Sequence, residues 1–340
     1  MTTQKKPIGA LLAAAAALAG LVGVATATQA EEKLTLGLPG VPPVFATTLQ
    51  YTAQDEGFFK KYGVDVTLRP FDSGAAAARA VQSGNIDVSF SPTPVIVNMT
   101  SNAGVDMVSI YGLENPDWVL ATTDPALKTC AQMKGQGIGV DSINGARSVA
   151  LHEMLAPCGL KGSDVQEIPL GTNVGSAMVA GQLKVGVLHI DDVPIVEEQT
   201  KKELTFVTTM QQVNPLNHYL VFVALRDNLA KKRDAFVRLL AAQIDATRFM
   251  KDPKNADKVA KYAAPTGRSP SVAKAALAKY LAMDFWPVDH DGLTQKNLDA
   301  VIAIQQRTGG IKEGKTPVAY GKLVDTTVWR DALAMVNAKK

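Results

Sequence analysis

From residue 34 to residue 225 the chain alternates short runs rich in β-branched and other apolar residues with longer Ala-rich runs of helical period. The apolar runs predict strands at 34–38, 64–70, 86–90 and 105–111, with helices between them at 44–62, 75–83 and 94–102. A second set follows, with strands at 137–140, 165–169, 185–190 and 204–208 and helices at 146–158, 174–181 and 194–201. This alternation is the pattern of parallel sheets covered by helices, here as two α/β units. After a strand-like run at 220–225 the pattern becomes almost wholly helical, at 229–250, 253–263, 271–283, 294–308 and 326–338. Helices without strands cannot build a third sheet, so they are expected as packing layers over an existing unit.

A short echo links the two units. Ser83-Gly84-Asn85-Ile86-Asp87-Val88 closes one Ala-rich helix and opens a strand, and Ala180-Gly181-Gln182-Leu183-Lys184-Val185 does the same about a hundred residues later. In each, Gly is placed to end the helix.

Residues 1–30 read as a secretory signal, with Lys5 and Lys6 ahead of an apolar run at 8–24 and a small-x-small site at Thr28-Gln29-Ala30. Cleavage after Ala30 is expected; an uncleaved membrane anchor is the alternative. No Cys follows the run to accept a lipid. About 310 residues then remain, enough for two lobes with their own cores. The formal charge of +3 falls to about +1 without the two lysines, which offers no excess for nucleic acid or an anionic membrane. Cys130 and Cys158 are the only cysteines. In an oxidising compartment they are expected to form a disulfide, the alternative being two separate buried thiols.

Ligands of open α/β sheets bind beyond the carboxyl ends of the strands, where helix N-termini present unpaired N–H groups. Three strand-to-helix turns qualify: Pro39-Gly40-Val41-Pro42-Pro43 leading to Phe45, Ser91-Pro92-Thr93-Pro94, and Asp141-Ser142-Ile143-Asn144-Gly145-Ala146-Arg147-Ser148. Such polar caps also terminate helices that bind nothing. Arg147 stands out, because a cation in the first turn opposes the helix dipole. Either an anionic ligand explains it, or it pairs with Asp141 at the surface. In His189-Ile190-Asp191-Asp192 a carboxylate either caps the next helix, meets a ligand amine, or holds Arg147. Phe45, Tyr51, Trp118 and Tyr219 are candidate apolar walls, Phe45 first and Trp118 second.

Three segments taken together, Asp55-Glu56-Gly57-Phe58-Phe59-Lys60-Lys61-Tyr62-Gly63-Val64-Asp65-Val66, Ser73-Gly74-Ala75-Ala76 and Ser83 to Val88, resemble the nitrate/sulfonate/taurine-type substrate-binding proteins of ABC transporters, a group that includes thiamine-pyrimidine binders. The resemblance continues through Gly139-Val140 to Ser148 and weakens in the C-terminal helices. It implies a two-lobed α/β periplasmic binding protein of type II, with lobe one at 31–116 plus 217–340, lobe two at 117–216, and the helical C-terminal segment packed on lobe one. It also implies a monomer in the periplasm that closes on a small organic solute, expected to be anionic, and hands it to an inner-membrane permease and ATPase. The ligand contacts expected are Val41, Pro42, Phe45, Ser91 and Thr93 from lobe one, and Trp118, Asn144, Gly145, Ala146, Arg147 and Asp191 from lobe two. The sequence departs from the family at Lys184, where Asp is common, and at residues 189–192, which point to no known ligand.

No cofactor, metal, nucleic-acid partner or catalytic residue is expected. Gly-x-Ser-x-Gly, His-Glu-x-x-His and the P-loop pattern are missing, and His152, His189, His218 and His290 lack metal-ligand spacing. The thiamine-pyrimidine synthase relatives carry a Cys-rich motif that two cysteines cannot supply. The other readings are a binding component of a tripartite transporter or sensor, and a secreted enzyme of the same fold.

Overall fold

The computed structural model describes residues 1–4, 32–216 and 218–338, so the secretory signal and its cleavage site lie outside the described residues apart from the first four. The first sheet takes β1 (Glu32–Pro39), β2 (Val64–Phe71), β3 (Val88–Pro92) and β4 (Met107–Leu113). The second takes β5 (Trp118–Thr122), β6 (Gly137–Val140), β7 (Gln166–Pro169), β8 (Val185–His189) and β9 (Thr205–Thr209), after which β10 (Leu220–Leu225) returns to the first.

The strand orders are β2-β1-β3-β10-β4 and β7-β6-β8-β5-β9. They are one pattern used twice, with the fourth position in each sheet filled by the strand that has just crossed from the other. Both crossing strands are antiparallel to their neighbours, β10 to β3 and β4 and β5 to β8 and β9. The cause is geometric: a chain arriving from the other sheet enters at the carboxyl ends of the resident strands and has to run back. The sheets are therefore mixed, which corrects the expectation of parallel ones.

The echo noted in the sequence marks equivalent places. Gly84 (φ 72°) and Gly181 (φ 70°) end the helices Gly74–Gln82 and Val174–Val179 in the left-handed conformation and lead into β3 and β8, the third strand of each sheet. Other boundaries differ from expectation. The helix expected at 44–62 is broken into a 3-10 turn Phe45–Thr47 and helices Thr48–Asp55 and Phe58–Tyr62, because Gly57 takes φ 72°. The one expected at 229–250 divides at Lys232 into Arg226–Lys231 and Arg233–Lys251. Strand β5, and the short helices Met210–Val213 and Tyr320–Leu323, carry no signal that the sequence reading used.

Around the first sheet, Leu34, Leu36, Phe90 and Phe222 are buried with Phe236, Leu240 and Ile244 of the long helix Arg233–Lys251. Each such side chain contributes roughly 1.5–3 kcal/mol through burial. That helix packs on Thr327–Ala338 and Thr48–Asp55, so the C-terminal helices do layer onto this sheet. In the second, Cys130 and Cys158 form the expected disulfide, with Cα atoms 6.0 Å apart. No helix among the described residues is long and apolar enough to cross a membrane.

Candidate functional site

The carboxyl ends of the parallel strands of both sheets face one another, and the loops leaving them enclose a narrow cavity of about 30 Å³. The first sheet contributes Pro39 from β1 with Gly40 and Val44 after it, Asp72, Ser73 and Gly74 after β2, and Pro92 from β3. The second contributes Asp141, Ala146 and Arg147 after β6, Thr172 after β7 and His189 from β8. Trp118 and Tyr219, at the starts of the two crossing strands, supply aromatic walls. Thr172 Oγ1 donates to Val41 O at 3.0 Å and so ties a second-sheet loop to a first-sheet loop.

Arg147 is the principal cation here. It lies in the first turn of the helix Ala146–Leu155 and is only 3 % exposed. The turn that places it is built around Asp141, whose two carboxylate oxygens accept from the N–H groups of Ala146 (3.0 Å) and Arg147 (3.1 Å) and so replace the missing cap side chain. Gly145 is required by close approach, since a Cβ there would sit 2.6 Å from that carboxylate. The anion supplied to the helix start offsets the dipole that opposes Arg147. The guanidinium itself lies over the Trp118 ring at 5.4 Å and donates from one Nη2 to Asp192 Oδ2 at 3.4 Å. Its Nη1 is buried and without a hydrogen-bond partner. Burying an unsatisfied donor on a charged group is costly, which favours an acceptor arriving in the cavity.

Behind Arg147 lies a buried polar cluster. His189 stands opposite Trp118 in the β5–β8 ladder, ring centroids 3.9 Å apart, and its Nδ1 donates to both oxygens of Asp117 at 2.8 and 2.9 Å. The Tyr280 hydroxyl lies between Asp117 and Asp191, at 2.8 Å from Asp191 Oδ1. Arg268 Nη2 reaches Asp191 Oδ2 at 2.5 Å and Asp192 Oδ1 at 2.7 Å. Burial pushes the Asp191 carboxyl above its ordinary value against the pull of Arg268. For Asp192 burial acts the same way, but Arg268 and then Arg147 outweigh it and hold the carboxyl below the usual range. Asp117, His189 and Asp191 each bring a ligand atom within 4.8 Å of the others, the spacing of a metal site. A cation there would have to displace the Tyr280 hydroxyl and stand beside the Arg268 guanidinium, so the chemistry of the set is that of an ion-pair network.

Of the residues expected from sequence, Trp118, Ala146 and Arg147 line the cavity. Asp191 sits one layer behind, tied to Arg268 and Tyr280, and its side chain makes no cap to the helix that follows. Arg147 holds Asp192, so the surface pairing with Asp141 gives way to the third option open for that carboxylate run. Gly145 shapes the turn, while Asn144 (φ 60°) is exposed and lines a separate concavity of about 250 Å³ with Gln305 and Lys312. Val41 and Pro42 are exposed beside the cavity rather than in its lining. Phe45 is buried against Tyr280, ring centroids 5.3 Å apart. Ser91 Oγ donates to Gly74 O at 2.9 Å. The Thr93 hydroxyl faces His218 Nδ1 at 2.8 Å; because His218 Nε2 donates to Gly292 O, Nδ1 is the acceptor of that bond. Burial lowers the His218 pKa to about 4, in keeping with a neutral ring. Tyr219, a candidate apolar wall, lines the cavity as well; Asp117, Tyr280, Arg268, Asp72 and Thr172 were not found from sequence, and His189 and Asp192 were noticed without being placed in the site. A larger groove of about 580 Å³, lined by Asp124, Lys184 and Lys202 among others, lies at the amino end of β8 and holds none of the expected residues.

Residues 45–256 match a family model described as NMT1/THI5 like. Over 206 residues, 60% of this chain, the sequence is 22% identical to a protein of Brucella abortus (strain 2308) described as a binding protein, and the match spans 63% of that relative's length. Among solved structures, the periplasmic nitrate-binding protein NrtA from Synechocystis PCC 6803 superposes with a TM-score of 0.73 at 14% identity, covering 91% of this chain and 90% of that one. The alkanesulfonate-binding protein SsuA from Xanthomonas axonopodis pv. citri, bound to MOPS, gives 0.68 at 16% identity, covering 87% and 99%. The fold is that of the periplasmic binding proteins.

Proposed function

Because the chain belongs to the NMT1/THI5-like family, we propose that it is the solute-capturing component of an ABC-type importer, exported to the periplasm after loss of residues 1–30. Residues 31–116 plus 217–340 form one lobe and 117–216 the other, and solute is held where the strand ends of the two meet. The solute is a small organic anion. The observation that carries this reading is the buried Arg147, whose Nη1 lacks a partner at the edge of a cavity lined from both sheets. A guanidinium with one donor face free is suited to a carboxylate or sulfonate oxygen, and Trp118 and Tyr219 suit an apolar remainder. The small volume describes the closed form, so entry requires the lobes to part.

Binding shifts the balance between open and closed forms, and no bond in the solute is broken. The similarity of the fold to nitrate- and sulfonate-binding proteins supports this reading, and the permease and ATPase partners follow from it.

The test is a thermal-shift screen of the mature protein with sulfonates, carboxylates, nitrate, amino acids and pyrimidines, followed by calorimetry on the tightest binder. An anion is expected to raise the melting temperature by mass action. Arg147→Ala is expected to weaken it by about 2–4 kcal/mol, the range for a desolvated charge pair. Binding confined to neutral or cationic compounds, or turnover of a bound compound, would overturn the proposal.

A further inference from the structure

Arg268 occupies the turn between the 3-10 segment Ala264–Thr266 and the helix Pro270–Ala282. Gly267 (φ 79°) makes that turn, and Arg268 Nη1 is anchored to Thr266 O at 2.6 Å. This segment rests on the first sheet's side of the molecule: helix Pro270–Ala282 packs on Ala256–Tyr262, which packs on Thr48–Asp55. The carboxylates that Arg268 meets follow β8 of the second sheet. Its side chain is 9 % exposed, so the pair is desolvated as well as close.

Asp192 is bracketed by two guanidiniums. Its Oδ1 takes Arg268 at 2.7 Å and its Oδ2 takes Arg147 at 3.4 Å. The nearer and better-placed partner comes from the other side of the cleft. Without Arg268, Asp192 would be left with Arg147 as its one guanidinium partner and would neutralise it, with the Asp191 carboxylate uncompensated beside it. With Arg268 in place their charge is taken up, and Arg147 keeps only one long bond to Asp192 while its Nη1 stays unpartnered.

We propose that Arg268 is the closing latch of the solute site: as the lobes meet, it takes up the charge of Asp191 and Asp192 and leaves Arg147 positive and oriented toward the solute. This rests on the two-lobed reading above and adds a positioning residue to it. Arg268 does not touch the solute. Tyr280, from the same C-terminal segment, makes a parallel contact with Asp117 and Asp191. The latch couples closure to the affinity of the anion site, because the cation reaches full strength only in the closed form.

The test compares wild type, Arg268→Gln and Arg268→Lys in two measurements. Small-angle scattering of the solute-free mature protein reads lobe separation; calorimetry with methanesulfonate and benzoate as probes reads the anion site. Arg268→Gln is expected to expand the solute-free protein and weaken the better probe at least tenfold. Arg268→Lys, which keeps the charge but not the two-carboxylate reach, is expected to recover part of both. If Arg268→Gln fails to fold, Asp192→Asn is read by the same measurements and should also expand the solute-free protein. A lower melting temperature with unchanged lobe separation and probe affinity would mean a merely structural ion pair and overturn the proposal. If wild type binds neither probe, the solute reading suffers while the scattering comparison still judges the latch.

Discussion

Glu153 provides a test in which proton linkage can be read directly. It lies in the last turn of the helix Ala146–Leu155, is 4 % exposed, and borders a concavity with Asn214, Ala300, Ile304 and Arg307. Asn214 Nδ2 donates to its carboxylate at 3.1 Å. Burial raises its pKa from 4.5 to about 7 against the opposing pull of Asn214 and Arg307. That gap corresponds to about 3 kcal/mol in favour of the protonated folded form, at about 1.36 kcal/mol per pH unit. The folded protein binds the proton more tightly than the unfolded chain, so this stability is fully present below about pH 4.5 and is lost as pH rises through about 7. Glu153→Gln mimics the neutral acid and keeps an acceptor for Asn214. Urea unfolding of both proteins from pH 4.5 to 8 is expected to give equal stabilities at the acid end and an advantage of about 3 kcal/mol for the variant above pH 7. His218, whose pKa is lowered to about 4, titrates with the opposite sign but equally in both proteins, and it cancels in the difference. A difference independent of pH would refute the reasoning.

Three further outcomes are expected. Replacing Cys130 and Cys158 together by Ser should cost about 3 kcal/mol in urea unfolding, because a bridge across 28 positions restricts the unfolded chain; no loss would mean that the bridge adds nothing. Thr172→Val, which removes the hydroxyl that reaches Val41 O, should weaken the tightest-binding acid about fivefold in calorimetry, the equivalent of about 1 kcal/mol. Mass spectrometry of the protein secreted by its native export route should show a chain beginning at Glu31; retention of residues 1–30 would favour the membrane anchor instead.

The two α/β units were legible because strands such as β6 and β10 are short apolar runs bounded by clear turns, and their bounds agree with the sequence reading. β5 was not, since Trp-Val-Leu-Ala-Thr is buried throughout and a short unalternating run carries no period to detect. Arg147 was visible for a physical reason: its sign is wrong for its place in the helix. Loop position alone was a poorer guide. Ser91 and Thr93 follow or end a strand at the cleft as expected, but a side chain can turn into its own lobe, and theirs bind Gly74 and His218. Asp117, Arg268 and Tyr280 had no local signal, because what defines them is contact across 72 to 163 residues of chain.

The most direct measurement is a crystal structure of the mature protein with the tightest-binding acid from the screen. The acid group is predicted to lie about 3 Å from Arg147 Nη1, with the rest of the molecule against Trp118 and contacts from the loops of both sheets. An acid bound instead in the open groove beside Lys184 and Lys202, with Arg147 Nη1 still unpartnered, would contradict the account.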